Sequence, residues 1–179
     1  MSVILGWDPV RGAHALPQFR AAAAAIEAEG RGTTPWAVSP GSPLEYGVRV
    51  HLMLQGAQRG IVGLGTVRSA PFLSFTGQHN GPLSQHVMIS WRALLPEDER
   101  IGIAELNARV PEVDWERIYA PEVALSPDAS ARLDRVWLAP HPSAAAGPAR
   151  RAASRRVDEP IRVDSGVDQA RWSRSAAAL

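Results

Sequence analysis

Two groups of residues in this 179-residue sequence have side chains suited to acid–base or metal chemistry, but neither has the spacing that such chemistry needs. His79 and His86 lie seven positions apart, near Asn80 and Gln85, with no carboxylate placed to complete a metal site. The acidic run 97–99 precedes a short helical pattern, where carboxylates favour the positive end of the helix dipole. We therefore expect no metal ion, no cofactor and no catalytic centre in this chain.

Aromatic rings outside the regular apolar patterns are the feature that points to a ligand. Trp36 lies in one Pro- and Gly-rich segment, Phe72 and Phe75 lie in a second, and Trp7 with Asp8 ends the first predicted strand. Rings on loops can form a slot for a planar ligand, and stacking of one nucleobase on one ring contributes about 1–3 kcal/mol. The alternative is that these rings close the open end of a small barrel.

Composition excludes several classes of protein. Because the chain has no cysteine, it has no disulfide, thiolate zinc site, iron–sulfur cluster or cysteine nucleophile. The glycines of segment 60–65 lack the third glycine and the following helix of a dinucleotide-binding loop. No apolar run approaches the roughly 20 residues that cross a bilayer, and the first residues lack a secretory pattern. We therefore expect a cytoplasmic protein with no membrane partner.

Charge is unevenly distributed along the chain. All 19 basic residues are Arg, and residues 1–140 hold 12 of them against 14 acidic residues, a balance of about −2. Residues 141–179 hold 7 Arg against 4 acidic residues, a balance of about +3. A body without net positive charge does not bind DNA strongly by electrostatics alone. Binding to nucleic acid would need a local patch or a specific pocket.

Hydrophobic patterning predicts a single domain over residues 1–139. Alternating or short apolar runs predict strands, and i, i+3/i+4 spacing predicts helices. Ser126-Pro-Asp is a good helix start, and Gly63 and Gly65 inside a strand pattern indicate a strongly bent sheet. The predicted strands are 2–7, 48–54, 61–68 and 87–92, the predicted helices are 17–29, 103–110 and one from Ser126, and the predicted irregular or extended segments are 33–47, 71–82 and 113–125. Residues 140–179 lack an apolar stripe, which predicts a disordered tail.

Seven segments, taken in chain order, together form a recognisable set: Val3–Pro9, Trp36, Val50–Gly56, Arg59–Pro71, Ile89–Leu95, Val110–Trp115 and Leu133–Trp137. This set resembles the EVE-like domains of the PUA superfamily, which are related to YTH readers. It is most similar to the EVE-like domains found ahead of HNH nuclease domains in bacterial modification-dependent restriction proteins. The resemblance covers about residues 2–138.

The resemblance implies an α+β fold, namely a PUA-like curved β-pseudobarrel with peripheral helices and a disordered C-terminal tail. It implies that residues 1–139 bind a flipped modified base in DNA, of the 5-methylcytosine or 5-hydroxymethylcytosine class, in an aromatic pocket; RNA stays open as the carrier. The chain would be the sensor part of a modification-dependent restriction system and not itself an enzyme. Nuclease activity would need a partner domain or subunit, since these residues contain no nuclease.

The resemblance also assigns roles to individual residues. Trp36 and Phe75 would be the walls of the pocket, and Asp8 would face the base edge, where a carboxylate accepts a hydrogen bond from an exocyclic amine. Trp7, Ala37 and Ser39 complete the predicted base-binding set. Five arginines are candidates for phosphate contacts, with the 150–156 cluster adding non-specific affinity: Arg11, Arg31, Arg49, Arg59 and Arg68.

A second function stays open beside base reading. Relatives often have Asn, Ser and Trp at the positions of Asp8, Ala37 and Phe75. A protein-interaction or regulatory module with the same barrel but without base reading would fit these departures, and it would also fit the nearly neutral body.

Overall fold

A computed structural model describes residues 1–10, 16–75 and 83–138 of the chain. These residues form an α+β fold with a mixed eight-stranded sheet and three α-helices. The strands are β1 (Ser2–Trp7), β2 (Gly32–Val38), β3 (Arg49–Leu54), β4 (Gly60–Val67), β5 (Phe72–Phe75), β6 (Leu83–Leu94), β7 (Ile101–Gly102) and β8 (Glu122–Leu125), and the helices are α1 (Leu16–Glu29), α2 (Ile103–Arg109) and α3 (Pro127–Leu138). Within the described ranges, no helix has the length and apolar character needed to cross a membrane.

The sheet curves until its two edges meet. Its strand order is β2-β6-β4-β3-β1-β8, with β5 paired to β6 and β7 paired to β4; β1 and β3 are parallel. In a flat sheet, five spacings of about 4.8 Å would separate β2 from β8 by about 24 Å. Instead, the Ser39 backbone N–H after β2 donates to Glu122 Oε1 on β8 at 2.8 Å. This hydrogen bond links the residue after β2 to β8, and no strand pairing between β2 and β8 is present in the described residues.

Two separate cores cover the two faces of the sheet. The inner core takes alternate residues such as Val3, Leu5 and Trp7 of β1, together with Trp36 of β2 and the buried side of α1. The outer core takes the intervening residues, such as Ile4, and packs them against α2, α3 and the 3₁₀ turn Trp115–Arg117. Because both faces of the central strands are buried, these strands are apolar nearly throughout.

Two glycines of β4 allow the Trp91 ring to lie against the strand backbone. A Cβ added at Gly65 would lie 2.8 Å from Trp91 Cε3, and one at Gly63 would lie 2.7 Å from Leu94 Cδ2. A β-bulge interrupts the β4–β6 pairing beside them, between Leu64 and Gly65. The glycines and the bulge therefore produce the bend that the sequence predicts.

The predicted helices are confirmed, and the structure corrects two predicted loops. In α3, Ser126 Oγ accepts the Ala129 N–H at 3.2 Å, as expected for an N-cap. The loop prediction for 33–47 is wrong at its start, because residues 32–38 form β2; exposed Pro35 is tolerated there since β2 is an edge strand. The loop prediction for 71–82 is likewise wrong at its start, where β5 pairs with β6. Only the last four residues of the predicted extended segment 113–125 form a strand.

The tail predicted for 140–179 lies outside the described residues, which end at 138.

Burial of Trp36 predicts a large loss of stability on truncation. Trp36 is 9% exposed and packs edge-on against Trp91, with ring centroids 5.8 Å apart, whereas Phe75 is 50% exposed. We expect Trp36→Ala to lower the free energy of unfolding by about 3–5 kcal/mol and Phe75→Ala by less than about 0.5 kcal/mol, measured by urea denaturation. Equal effects of the two substitutions would contradict the placement of Trp36 in the core.

Candidate functional site

A cleft of about 740 Å³ opens where β1 ends. Four segments form its walls: residues 8–10 after β1, one side of α1 that includes both buried and exposed residues, the β3–β4 turn at 54–58, and residues 94–98 at the end of β6 and beyond. Its volume lies in the range of about 300–1,000 Å³ that is typical of small-molecule and cofactor sites.

The floor of the cleft is apolar and rests on the inner core. Phe19 of α1, Leu54 of β3 and Leu94 of β6 line it. The Phe19 ring packs on the Trp7 ring with centroids 4.4 Å apart and planes tilted by 33°. Trp7 is 2% exposed, so it supports the floor from below instead of lining the cleft.

Carboxylates dominate the polar part of the cleft lining. Among the described residues, the charged side chains that line it are Asp8, Glu27, Glu97 and Asp98, against the single cation Arg20. The Arg20 Nε–H donates to Glu97 Oε1 at 3.0 Å. This lining repels phosphate and favours a ligand that donates hydrogen bonds or carries positive charge.

Asp8 is held at the end of β1 by a local turn. Its Oδ1 accepts the Val10 backbone N–H at 2.9 Å, the pattern by which Asp side chains stabilise turns. Asp8 is half-buried, and it is the one predicted base-binding residue that lines the described cleft.

Trp36 and Phe75, the predicted pocket walls, do not face each other. Trp36 pairs with Val87 on one side of β6, and Phe75 pairs with Leu83 on the other side. Four residues along β6 and two strand spacings separate them, about 13 Å by about 10 Å. No slot lies between the two rings in the described residues, and a ligand contact for either ring stays a prediction.

Two other residues of the predicted base-binding set also lie away from the cleft. Ala37 is half-buried on β2, and the Ser39 backbone takes part in the edge contact with Glu122.

The predicted phosphate-binding arginines have different surroundings. The Arg59 guanidinium donates to the Glu116 and Ile118 carbonyls at 2.6 and 2.5 Å and lies 4.5 Å from the centroid of the Tyr119 ring. These contacts hold the 3₁₀ turn, which gives Arg59 a structural role. Arg31 is exposed, Arg49 and Arg68 are half-buried on the sheet, and Arg11 lies outside the described residues.

Of the two histidines singled out from the sequence, the structure describes His86. His86 is buried; its Nδ1 lies 3.0 Å from the Ser84 carbonyl oxygen, and its ring stacks near Phe72. His79 lies outside the described residues. No group of three or more potential metal ligands is found in the part of the chain that the structure describes.

Sequence analysis missed most of the cleft. The sequence predicts the helix 17–29 and places the acidic run 97–99 at a helix dipole, and neither prediction indicates a cleft. The lining comes from four segments far apart in the chain, and no local pattern indicates that they meet. The acidic run beside a strand end was the one available signal.

No family model, curated protein or solved structure matches this chain. The candidate site is therefore defined by its geometry and chemistry.

A second polar group lies beneath α3, on the opposite face of the sheet. His51 is fully buried on β3 between Ile4 and Leu64, and neither ring nitrogen has a hydrogen-bond partner. Its Nε2 lies 3.9 Å from Asp134 Oδ1. Burial, reinforced by the nearby charge of Arg49, lowers the pKa of His51 from 6.5 to about 3. His51 is therefore neutral in the folded protein at neutral and mildly acidic pH.

The lowered pKa of His51 predicts a loss of stability in mild acid. Below pH 6.5 the unfolded chain binds a proton at His51 that the folded protein does not, so the free energy of unfolding decreases as the pH falls toward 3. Between pH 7 and pH 5 we expect a decrease of about 2 kcal/mol from this residue. Urea denaturation of the wild type and His51→Leu at both pH values measures it.

The comparison with His51→Leu removes the contributions of other titratable groups to the change in free energy of unfolding, because the two proteins share these groups. Burial raises the pKa of Asp134 despite the opposing effect of Arg49, and this acts in the opposite direction: the folded protein binds more protons than the unfolded chain above pH about 3.8. The variant should be nearly free of the acid-induced decrease. A decrease as large as that of the wild type would contradict the assignment to His51.

Proposed function

We propose that this chain is a reader of modified bases in DNA, and that it receives a flipped base of the 5-methylcytosine or 5-hydroxymethylcytosine class in the cleft beside Asp8. The observation that carries the proposal is the cleft itself, in which one turn-held carboxylate stands beside an apolar floor of Phe19, Leu54 and Leu94. The volume of the cleft admits a nucleotide. Its carboxylate suits the polar edge of a cytosine, and its apolar floor suits the face of the ring.

The polar edge of the base matches the carboxylate. The exocyclic N4 amine of cytosine donates hydrogen bonds, and an ionised Asp accepts them. A hydrogen bond to a charged group contributes about 1.5–3 kcal/mol, and extrusion of a base from the duplex costs a few kcal/mol. Contact with Asp8 and burial of the ring face together offset that cost.

The apolar floor provides a means to sense the modification. Burial of one methyl-sized group contributes about 0.8 kcal/mol, which corresponds to about a fourfold preference at 25 °C. We therefore expect modest discrimination between cytosine and 5-methylcytosine from this floor alone.

The curved sheet supports the finer part of the fold assignment. Edge strands joined through Ser39 and Glu122, an inner core shared by β1 and β2, and peripheral helices are the features expected of a PUA-like pseudobarrel. The role as sensor in a modification-dependent restriction system comes from the sequence resemblance, and it needs a nuclease domain or subunit as partner.

The acid-rich cleft lining favours a second candidate function. Four carboxylates against one arginine also suit a basic peptide, in line with a protein-interaction module. The two functions differ in the ligand that competes for the cleft, a modified base or an arginine-rich peptide.

Substitution of Asp8 tests the proposal. We expect Asp8→Ala to weaken binding of a duplex with one 5-methylcytosine by about 10- to 100-fold, since a charged acceptor is lost. Fluorescence anisotropy titration of labelled modified and unmodified duplexes measures both affinity and preference.

Asp98→Ala is the matched control, because it removes another carboxylate of the same cleft at an exposed position. We expect this control to stay within about twofold of the wild type. A wild type that binds both duplexes equally, and that binds a labelled arginine-rich peptide in the absence of DNA more tightly than Asp8→Ala does, would contradict base reading and favour the second function.

A further inference from the structure

A row of polar residues crosses the outer face of the sheet from β2 to β3. Thr33 pairs with Ser90, Ser90 pairs with Thr66, and Thr66 pairs with Arg49. Each of these four residues directly precedes a residue whose side chain is in the inner core or faces it. Because successive side chains of a strand alternate between the two faces, the four side chains lie on the outer face. Thr33 is exposed, and the other three are half-buried. The row is a shallow surface with three hydroxyl groups and a guanidinium.

The β-bulge adds a second guanidinium to this surface. Leu64 pairs with Ala93 and Gly65 pairs with Trp91, so Arg92 is the extra residue of β6. Bulges change the direction of a side chain and are enriched near functional sites. A cavity of about 20 Å³ beside the bulge is lined by Arg92 and Thr66, among others, and holds about one water-sized group.

Arg68, which follows β4, is the third cation of the group. Its backbone N–H donates to the Met88 carbonyl at 2.7 Å, which fixes its position beside β6. Arg49 and Arg92 line the same small cavity, and burial together with the charges of Arg49 and Arg68 lowers the pKa of Arg92. We call Arg49, Arg68 and Arg92 the arginine cluster.

The arginine cluster holds more positive charge than its surroundings neutralise. Asp134 of α3 is the carboxylate that faces it, and this residue forms an ion pair with Arg49. His51 beside them is neutral. In the described residues, Arg68 and Arg92 form no ion pair and no side-chain hydrogen bond. Three cations against one anion leave an excess of about two positive charges beside a row of hydroxyl donors.

We propose that Arg68 and Arg92, supported by Arg49 and the hydroxyl row, bind phosphodiester groups of a nucleic-acid strand. Guanidinium groups and hydroxyls are the common donors to phosphate oxygens, whereas the described lining of the cleft has an excess of carboxylates. The inference rests on the proposed function and deepens it, because it names the surface that holds the backbone.

The distance between the two sites defines the ligand as a polymer. Arg49 pairs with Ser2 at the start of β1, and Asp8 follows the end of that strand. Six residues of strand span about 20 Å, so Arg49 lies about 20 Å from Asp8, which corresponds to about six steps of 3.4 Å in B-form DNA. A free nucleotide cannot contact Asp8 and Arg49 at once, whereas an oligonucleotide can.

The salt dependence of duplex binding tests this surface. Each phosphate contact contributes about −0.9 to the slope of log K against log salt concentration. We expect the double variant Arg68→Gln, Arg92→Gln to reduce the magnitude of this slope by about two, and to leave the ratio of modified to unmodified affinity unchanged. Anisotropy titrations at four salt concentrations measure both quantities.

A charge-matched double variant and a single variant complete the experiment. Arg109→Gln with Arg117→Gln removes two arginines paired within their own segments, and it should keep the wild-type slope. Arg68→Gln alone changes a residue outside the regular strands and should reduce the slope by about one, so the test does not depend on the folding of the Arg92 variant.

The outcomes separate the two proposals. A slope reduced by the variants supports the arginine cluster as a phosphate site. This holds even if neither the wild type nor any variant prefers the modified duplex; that lack of preference would contradict base reading but not the arginine cluster. A slope unchanged by both the single and the double variant, with a retained modification preference, overturns the arginine cluster and leaves base reading intact. A wild type that binds neither duplex overturns both.

Discussion

The close approach of the Trp91 ring to β4 is the constraint on which the rest of the molecule depends. A Cβ at Gly65 would lie 2.8 Å from this ring, so the contact exists only because β4 has no side chain there. The adjacent bulge bends the same pair of strands. Bending allows the edges of the sheet to meet at Ser39 and Glu122 and lets Trp36 pack edge-on against Trp91. The same feature thus encloses the inner core and places Arg92 on the outer face.

The proposed functions divide the molecule by charge. The cleft at the end of β1 has an excess of carboxylates, and the outer face near its start has an excess of guanidinium groups. The nearly neutral total of the body therefore includes two surfaces of opposite sign, and under the proposed function the positive surface holds the nucleic acid. It also limits the roles of the predicted arginines, since Arg59 is committed to backbone carbonyls while Arg68 is not.

Local sequence patterns predicted most of the helices and strands, whereas pairing between distant segments determines which residues meet at the candidate site. The spacing of Phe19, Ala23 and Ile26 and the cap at Ser126 specify helices within one or two turns, so α1 and α3 were predictable. Pro35 made β2 resemble a loop, because the sequence does not reveal that β2 is an edge strand.

The site depends on relations between elements that no local pattern encodes. Trp36 was predictable as an isolated ring, but its burial depends on Trp91, 55 positions away in the chain. Alternation along the predicted strand places Arg92 on the face opposite Trp91, but no local pattern indicates the bulge at this position or the cavity that Arg92 shares with Arg49 and Thr66. The position of Asp8 at the end of a strand follows from local pattern, whereas its role as a base contact comes from the resemblance and stays a prediction.

The central claim, that a modified base enters the cleft beside Asp8, is tested most directly by nuclear magnetic resonance on the isotope-labelled protein. The Val10 amide is the reporter, because its N–H donates to Asp8 Oδ1. We expect a duplex with one 5-methylcytosine to shift the resonances of Val10 and of the Phe19 ring, and the unmodified duplex to shift them much less. Equal shifts with both duplexes, or modification-dependent shifts confined to residues outside the cleft, would contradict the claim.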